Sequence, residues 1–154
     1  CRPGLLPSTR SVEQPPAGFA RLLYGRVPVH TFNRTQNNVW LHQAMPENPV
    51  WINDETAQNL GLKDGDVVGL VNSEGFKSKT TTTLKVTPGI RKDSVYMAHG
   101  YGSMNPLLSV AVNSGVDDQS LITKISIDPE TGGHGMRNNF VKLIKDGNVL
   151  DIPA

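Results

Sequence analysis

From Phe19 onward the apolar residues of this chain come in short runs, each closed by a turn signal, and that spacing leaves no room for a bundle of long helices. Residues 21–24, 50–52, 67–71, 76–86, 94–97 and 140–144 read as strands. Asp64-Gly65-Asp66 leads into VVGLV, and Asn72-Ser73-Glu74-Gly75 turns the chain back towards the Thr run at 80–83, so this stretch reads as a hairpin. Thr87-Pro88-Gly89-Ile90 supplies a further tight turn before the next buried strand. One helix is written clearly: Asn53 as N-cap, acids in the first turn, residues 54–60 as the body and Gly61 as the stop. A second apolar stretch at 106–113, containing LLSVAV, fits a short helix or a buried strand equally well. The residues alone therefore predict a mainly β barrel with one clear helix. Residues 1–18, with Pro3, Pro7, Pro15 and Pro16, read as a flexible linker, residues 19–145 as the barrel and residues 146–154 as a C-terminal tail.

Three polar segments adjoin these strands. Residues 26–38, RVPVHTFNRTQNN, contain nine His, Thr, Asn, Arg or Gln residues out of thirteen. Asn and Gln present a donor beside an acceptor and Arg presents a fork of donors, a set suited to a planar, heteroatom-rich ligand carrying phosphates. A solvated loop has the same composition, so the segment gains weight only because it recurs. His99-Gly100-Tyr101-Gly102-Ser103-Met104-Asn105-Pro106 follows the strand at 94–97, and Gly132-Gly133-His134-Gly135-Met136-Arg137-Asn138-Asn139 precedes the strand at 140–144. Glycine in such segments permits close backbone approach to a ligand. Convergence of all three at one end of the barrel is the expectation.

Several other chemistries lose their footing. With 15 basic and 14 acidic residues the net charge is +1, and no basic run exceeds two residues, so nucleic acid is not an implied partner. Cys1 is the only cysteine, which removes an internal disulfide, a cysteine zinc cluster and an iron–sulfur site from this chain. His30, His42, His99 and His134 have no metal-ligand spacing, so no metal site is expected on the polypeptide. Asp117 and Asp118 are adjacent on an extended segment, where neighbouring side chains point apart; they read as a cap or turn and not as an acid–base couple. No apolar stretch approaches the ~20 residues needed to cross a bilayer, so direct membrane insertion is not expected. The chain begins at Cys1 and not at Met, from which a fragment or processed product is expected.

The series YGR…HTFNRTQNN, then NPVWINDETAQNLGLKDGDVVGLVNSEG, then KVTPGIRKDSVYMAHGYG, and last a DP-x-x-GG turn before a strand, resembles the C-terminal molybdopterin-dinucleotide-binding domain of the dimethyl sulfoxide reductase family. Within it the resemblance is nearest to thiosulfate and polysulfide reductase catalytic subunits, and it runs in order over about residues 19–145. The resemblance implies a six-stranded double-psi β-barrel of the aspartate-decarboxylase type with short helices. It implies molybdopterin guanine dinucleotide with molybdenum as cofactor, held by a lid domain of an oxidoreductase that reduces an inorganic sulfur compound such as thiosulfate or polysulfide by two electrons. Molybdenum ligand and iron–sulfur cluster would then lie in the missing part of the parent chain, and this domain alone would be inactive, with no catalytic residue of its own. Implied partners are the remaining domains of the catalytic subunit, together with iron–sulfur electron-transfer and membrane anchor subunits, in the anaerobic respiration of a bacterial periplasm, with the cytoplasm as the other compartment.

Carried onto this sequence, the cofactor-binding positions of the first polar loop are Arg26, His30, Thr31, Asn33, Arg34, Thr35 and Gln36. His99 and Gly100 follow from the YMAHG strand, and Arg137 and Asn139 from the segment entering the last strand. Family members often carry Asn before a Leu-x-Thr; this chain has Ser120 there, so that position is not carried over. The competing reading is a stand-alone double-psi barrel acting as a binding module, like the N-terminal domains of AAA unfoldases, which has no need of three amide- and Arg-rich loops. A small pyruvoyl-dependent decarboxylase of the same barrel type would rest on Gly102-Ser103 alone, a pair common in any sequence.

Overall fold

Six strands close into a barrel in the computed structural model, which describes residues 14–127, 129–135 and 138–153. The strands are β1 (Ala20–Gly25), β2 (Val50–Ile52), β3 (Val67–Asn72), β4 (Thr82–Val86), β5 (Ser94–Ala98) and, after a small two-stranded ribbon of β6 (Ser126–Ile127) and β7 (His134–Gly135), β8 (Phe140–Lys145). Around the ring the order is β1-β5-β2-β4-β3-β8, and β8 returns to β1 with Ala20 opposite Val141. Two pairs, β1 with β5 and β2 with β4, are parallel, and the others are antiparallel. This is the closed barrel the sequence resemblance implies. Closure removes the unpaired edges an open sheet of this size would expose.

Alternate residues of the strands fill the interior. Leu22, Val50, Ile52, Val68, Leu70, Leu84, Val95, Met97, Val141 and Leu143 are all buried in one cluster, with Ala57 and Leu62 joining from outside the strands. Ala57 lies on α2 (Asp54–Asn59), whose N-cap Asn53 accepts from the backbone N–H groups of Glu55 and Thr56. The helix stops where expected, with Gly61 at φ +65°. An unforeseen short helix, α1 (Val39–Ala44), follows the first polar segment; Asn38 caps it by accepting from the N–H groups of Trp40 and Leu41.

Two expectations need correction. Of the predicted strand at 76–86 only Thr82–Val86 forms one, apart from a single bridge between Lys77 and Val71. Thr80 is drawn to a distant partner, its Oγ1 donating to the Gly115 carbonyl (2.6 Å), while Ser78 stays against β3, its N–H donating to the Leu70 carbonyl (2.8 Å) and its Oγ accepting from the Leu70 N–H. The stretch at 106–113 is neither helix nor strand. Two of its backbone donors are satisfied from a distance by the Asn37 side chain, whose Oδ1 accepts from the Val110 (3.0 Å) and Ala111 (3.3 Å) N–H groups, others turn to Asn105 and Ser103, and Leu107 stays 89% exposed.

The segment expected as a C-terminal tail contributes β9 (Asn148–Leu150), which pairs with the half of β8 that β1 leaves open. Ile152 bridges to Gly18 and is buried in the core cluster. Of the linker expected at 1–18, residues 1–13 lie outside the described residues.

Candidate functional site

Parallel pairing of β1 and β5 decides where the polar segments emerge. Gly25 stands opposite Ala98 at the ends of the two strands, and the His99 N–H donates to the Gly25 carbonyl (2.9 Å). The loops that follow therefore leave the same end of the barrel side by side. Between them opens a cleft of about 610 Å³ lined by Asn33 and Arg34 of the first polar loop, His99 and Gly100 of the second, and Lys79 and Gln119 from elsewhere in the chain. A second hollow of about 320 Å³ shares Phe32, His99 and Gln119 with it and extends past Arg26 and Tyr24.

Glycine makes the close packing of this floor possible. At Gly100 (φ +98°) a Cβ would come within 2.7 Å of the Phe32 carbonyl carbon, and at Gly102 (φ +75°) within 2.2 Å of the Asp117 backbone nitrogen. The first polar loop and the segment at 116–117 thus rest directly on the backbone that follows β5.

His99 is the best-anchored polar side chain in the cleft. Its Nδ1 lies 2.7 Å and 3.0 Å from the two carboxylate oxygens of Asp118, whose side chain is fully buried. Phe32 meets the imidazole edge to face at 5.1 Å, and Tyr24 lies 5.9 Å away at a tilt. Arg26 sits 4.8 Å above the Phe32 ring, close enough for cation–π attraction. Burial pushes the Asp118 carboxyl above its ordinary range, and hydrogen bonding to His99 offsets part of that rise. Asp117, its neighbour, points elsewhere and accepts from the Gln119 N–H (3.1 Å), so the two acids form no acid–base couple.

Of the positions read from the sequence, Arg26, Asn33, Arg34, His99 and Gly100 line these hollows. His30 does not: it is buried, with Nε2 3.1 Å from the Met45 carbonyl, Nδ1 3.3 Å from Thr35 Oγ1 and its ring against Tyr101. Thr35 also accepts from the Thr31 N–H (2.8 Å), so Thr31, Thr35 and His30 brace the loop internally. Asn139 is buried as a clamp, accepting from the Thr123 and Lys124 N–H groups and donating to the Lys124 carbonyl. Arg137 lies outside the described residues. The third polar segment is absent from the cleft wall among the described residues; the stretch around Asp117, Gln119 and Ser120 takes that place.

Gln36 is a separate case. It is 4% exposed, its amide lies beside the Tyr101 hydroxyl but makes no hydrogen bond of good geometry among the described residues, and it lines a smaller pocket of about 220 Å³ beside Asn33, Gly100 and Ser103. A buried amide without partners is costly, and its donor and acceptor suit the edge of a heterocycle or ordered water. Asp118 and Lys79 carried no sequence signal that set them apart. Asp118 follows Asp117 in a turn-like stretch, and Lys79 is one of several exposed lysines.

A closed barrel with a basic, amide-rich cleft at the end of two parallel strands defines a ligand-holding domain. Comparison with known proteins sharpens this: the model of the Molydopterin dinucleotide binding domain matches residues 21–139, and the chain belongs to that family. It is 34% identical over 104 residues to the thiosulfate reductase molybdopterin-containing subunit PhsA of Salmonella typhimurium, a match that covers 68% of this chain and 13% of that protein. It is 35% identical over 75 residues to a tetrathionate reductase subunit of Archaeoglobus fulgidus, covering 49% of this chain and 6% of that protein. Among solved structures, acetylene hydratase from Pelobacter acetylenicus superposes with a TM-score of 0.61 over 82% of this chain and 18% of that one, at 21% identity, a likeness of fold. The chain thus spans a small part of the relatives it matches.

The residues present fit the cofactor of this family, molybdopterin guanine dinucleotide with molybdenum. Arg34 and Lys79 would offer positive charge to phosphates and Asn33 and Gln119 would offer amides, with the Gln36 amide in the adjoining smaller pocket. A volume of about 610 Å³ suits a drug-sized molecule, so a dinucleotide cofactor would fill it and extend beyond the chain.

Proposed function

We propose that this chain is the lid domain of a molybdenum oxidoreductase that reduces an inorganic sulfur compound, and that the cleft beside His99 receives part of the cofactor. When bound, the cofactor supplies the redox chemistry, and the polypeptide binds and orients it. The observation that carries the reading is the cleft itself, where Arg34, Asn33, His99 and Gly100 from two separate polar segments meet. Arg34 neutralises phosphate charge, Asn33 and Gln36 read heterocycle edges, and His99 contributes an imidazole nitrogen. Arg26 extends the basic wall, while His30, Thr31, Thr35 and Asn139 hold the loops in shape. The similarity to thiosulfate and tetrathionate reductase subunits supports a sulfur oxyanion or polysulfide as the parent enzyme's substrate. Chemistry at molybdenum and an iron–sulfur relay would belong to the rest of that enzyme, in the periplasm, with electron-transfer and anchor subunits as partners.

A titration of the isotope-labelled chain with guanosine diphosphate tests the reading. Affinity is expected to be weak, because one domain offers only part of the contacts. Amide shifts should be confined to residues 33–36, 99–103 and 117–120. Arg34→Ala removes a charge-assisted contact worth roughly 1.5–3 kcal/mol, whereas Lys63→Ala, outside the cleft, should bind like the wild type. Shifts clustered elsewhere, or equal binding by Arg34→Ala, would defeat the assignment.

A further inference from the structure

The pairing of His99 with Asp118 does more than close a turn. Nineteen positions separate the two residues, and the carboxylate meets Nδ1 with both oxygens at 2.7 Å and 3.0 Å. A carboxylate beside Nδ1 selects the imidazole tautomer that carries its proton there, which leaves Nε2 as the free nitrogen. Among the described residues nothing hydrogen-bonds to Nε2, and the ring lines both hollows of the cleft. Asp118 itself is fully buried and touches no ligand space, so it can act on a ligand only through His99.

We propose that Asp118 is a positioning residue that holds the Nε2 of His99 open to the cleft and makes the pair take up one proton when an anionic group of the phosphate class seats there. The proposal rests on the cleft being the ligand site. With the carboxylate ionised and the imidazole neutral, the pair carries one negative charge and Nε2 is an acceptor, which repels an anion. One proton taken from solvent to Nε2 turns it into a donor and makes the pair neutral, and an anion seated against Nε2–H favours that form. Other charged or titratable groups around the ring are Tyr24 of β1, Arg26 and Arg34 of the first loop, Lys79 of the crossing segment and Asp117 beside Asp118. Arg26, Arg34 and Lys79 place positive charge around the cleft, and the pair adds the part that depends on its own proton.

Burial raises the Asp118 carboxyl, with the sign that ionisation of this group opposes folding. Its contribution to stability is full below the ordinary carboxylate range and lost as pH rises through the raised value. Replacement by the neutral isostere is therefore expected to leave a folded chain at neutral pH.

The test uses the labelled 154-residue chain and sulfate, whose charge stays constant over about pH 5 to 8, the window in which imidazoles titrate. Imidazole nitrogen shifts should report the Nδ1–H tautomer for His99 in the free wild type. Sulfate affinity, read from amide shifts at 99–103 and 117–120 at constant ionic strength, should rise as the pH falls, with about tenfold per unit as the ceiling set by one linked proton. Asp118→Asn should displace this dependence to lower pH, because the imidazole then takes up its proton without a neighbouring carboxylate, while keeping an unfolding midpoint at pH 7 no lower than that of the wild type; a pH profile unchanged from the wild type would count against the role of Asp118. His99→Gln, which keeps a polar atom near Nε2 without a titrating ring, should abolish it and serves if the first variant does not fold. An Nε2–H tautomer in the wild type, a pH-independent or undetectable sulfate affinity, or a wild-type pH profile in His99→Gln would each overturn the proposal. The guanosine diphosphate titration separates the cases: nucleotide shifts in the cleft with pH-independent sulfate affinity defeat the role of Asp118 alone, and their absence defeats the site.

Discussion

Asn48 is fully buried between the end of β5 and the backbone at Val116 and uses its whole amide there: Nδ2 donates to the Ala98 (2.7 Å) and Val116 (2.9 Å) carbonyls, and Oδ1 accepts from the Val116 N–H (2.8 Å). It ties the end of β5 to the segment that carries Asp117 and Asp118, and so fixes the spacing across the cleft. Asn48→Ala would leave a buried N–H and two carbonyls without partners, and a loss of roughly 3 kcal/mol is expected. Urea denaturation checks it; a loss under about 0.5 kcal/mol, the range of surface changes, would mean that water replaces the amide. Asn48 and Asn139 serve the structure, whereas Asn33 and Arg34 face the cleft. Composition cannot separate these uses, because an amide reads the same in sequence whether its partner is a ligand or a backbone group many positions away. His30 shows the limit well: it lies in the polar segment and is spent on Met45 and Thr35.

At the level of elements, what was legible was what local chemistry decides. α2 has its cap, acidic first turn and glycine stop within nine positions, 53–61, so its limits could be read directly. Asn53 also donates to the Ile90 carbonyl (2.9 Å), which pins the helix start to the turn before β5. Asn53→Ala should therefore cost more than an exposed cap, at the upper end of about 0.5–2 kcal/mol. Asn53→Asp, which keeps the capping oxygen and loses only the donor, should recover part of that. Thermal unfolding of the two variants gives the comparison, and equal losses would mean that the cap contributes nothing. The crossing segment at 76–81 and the stretch at 106–113 were illegible for the opposite reason. Thr80 Oγ1 bonds the Gly115 carbonyl 35 positions away, and the Val110 and Ala111 N–H groups bond the Asn37 side chain more than 70 positions away.

For the molecule as a whole, β8 is the strand on which closure depends, since it pairs with β3, β1 and β9. β9 extends the β1 side of that strand, Lys142 pairs with Asp151, and Ile152 enters the core at 2% exposure. Removal of residues 146–154 should lower stability beyond Ile152→Ala, which by itself is expected to cost about 2–5 kcal/mol as a truncated core residue. Denaturant midpoints of the two proteins check this. If the truncated chain matched the full one, the segment would be a tail, as its sequence reads. The β3–β8 and β1–β8 pairs join residues far apart in sequence, and no turn signal announces either.

The sequence by itself determined where the six barrel strands lie, the capped helix, the order of motifs that marks the family and the two polar loops that flank the cleft. These depend on side-chain pattern and turn chemistry within a few residues. Only the tertiary structure decided which polar residues face the cleft and which brace the loops, brought Lys79 and Gln119 to its lining, and set a buried carboxylate against His99. The physical reason is that a polar group's role follows from what surrounds it. Here those surroundings come from chain segments tens of positions apart, joined only when the barrel closes.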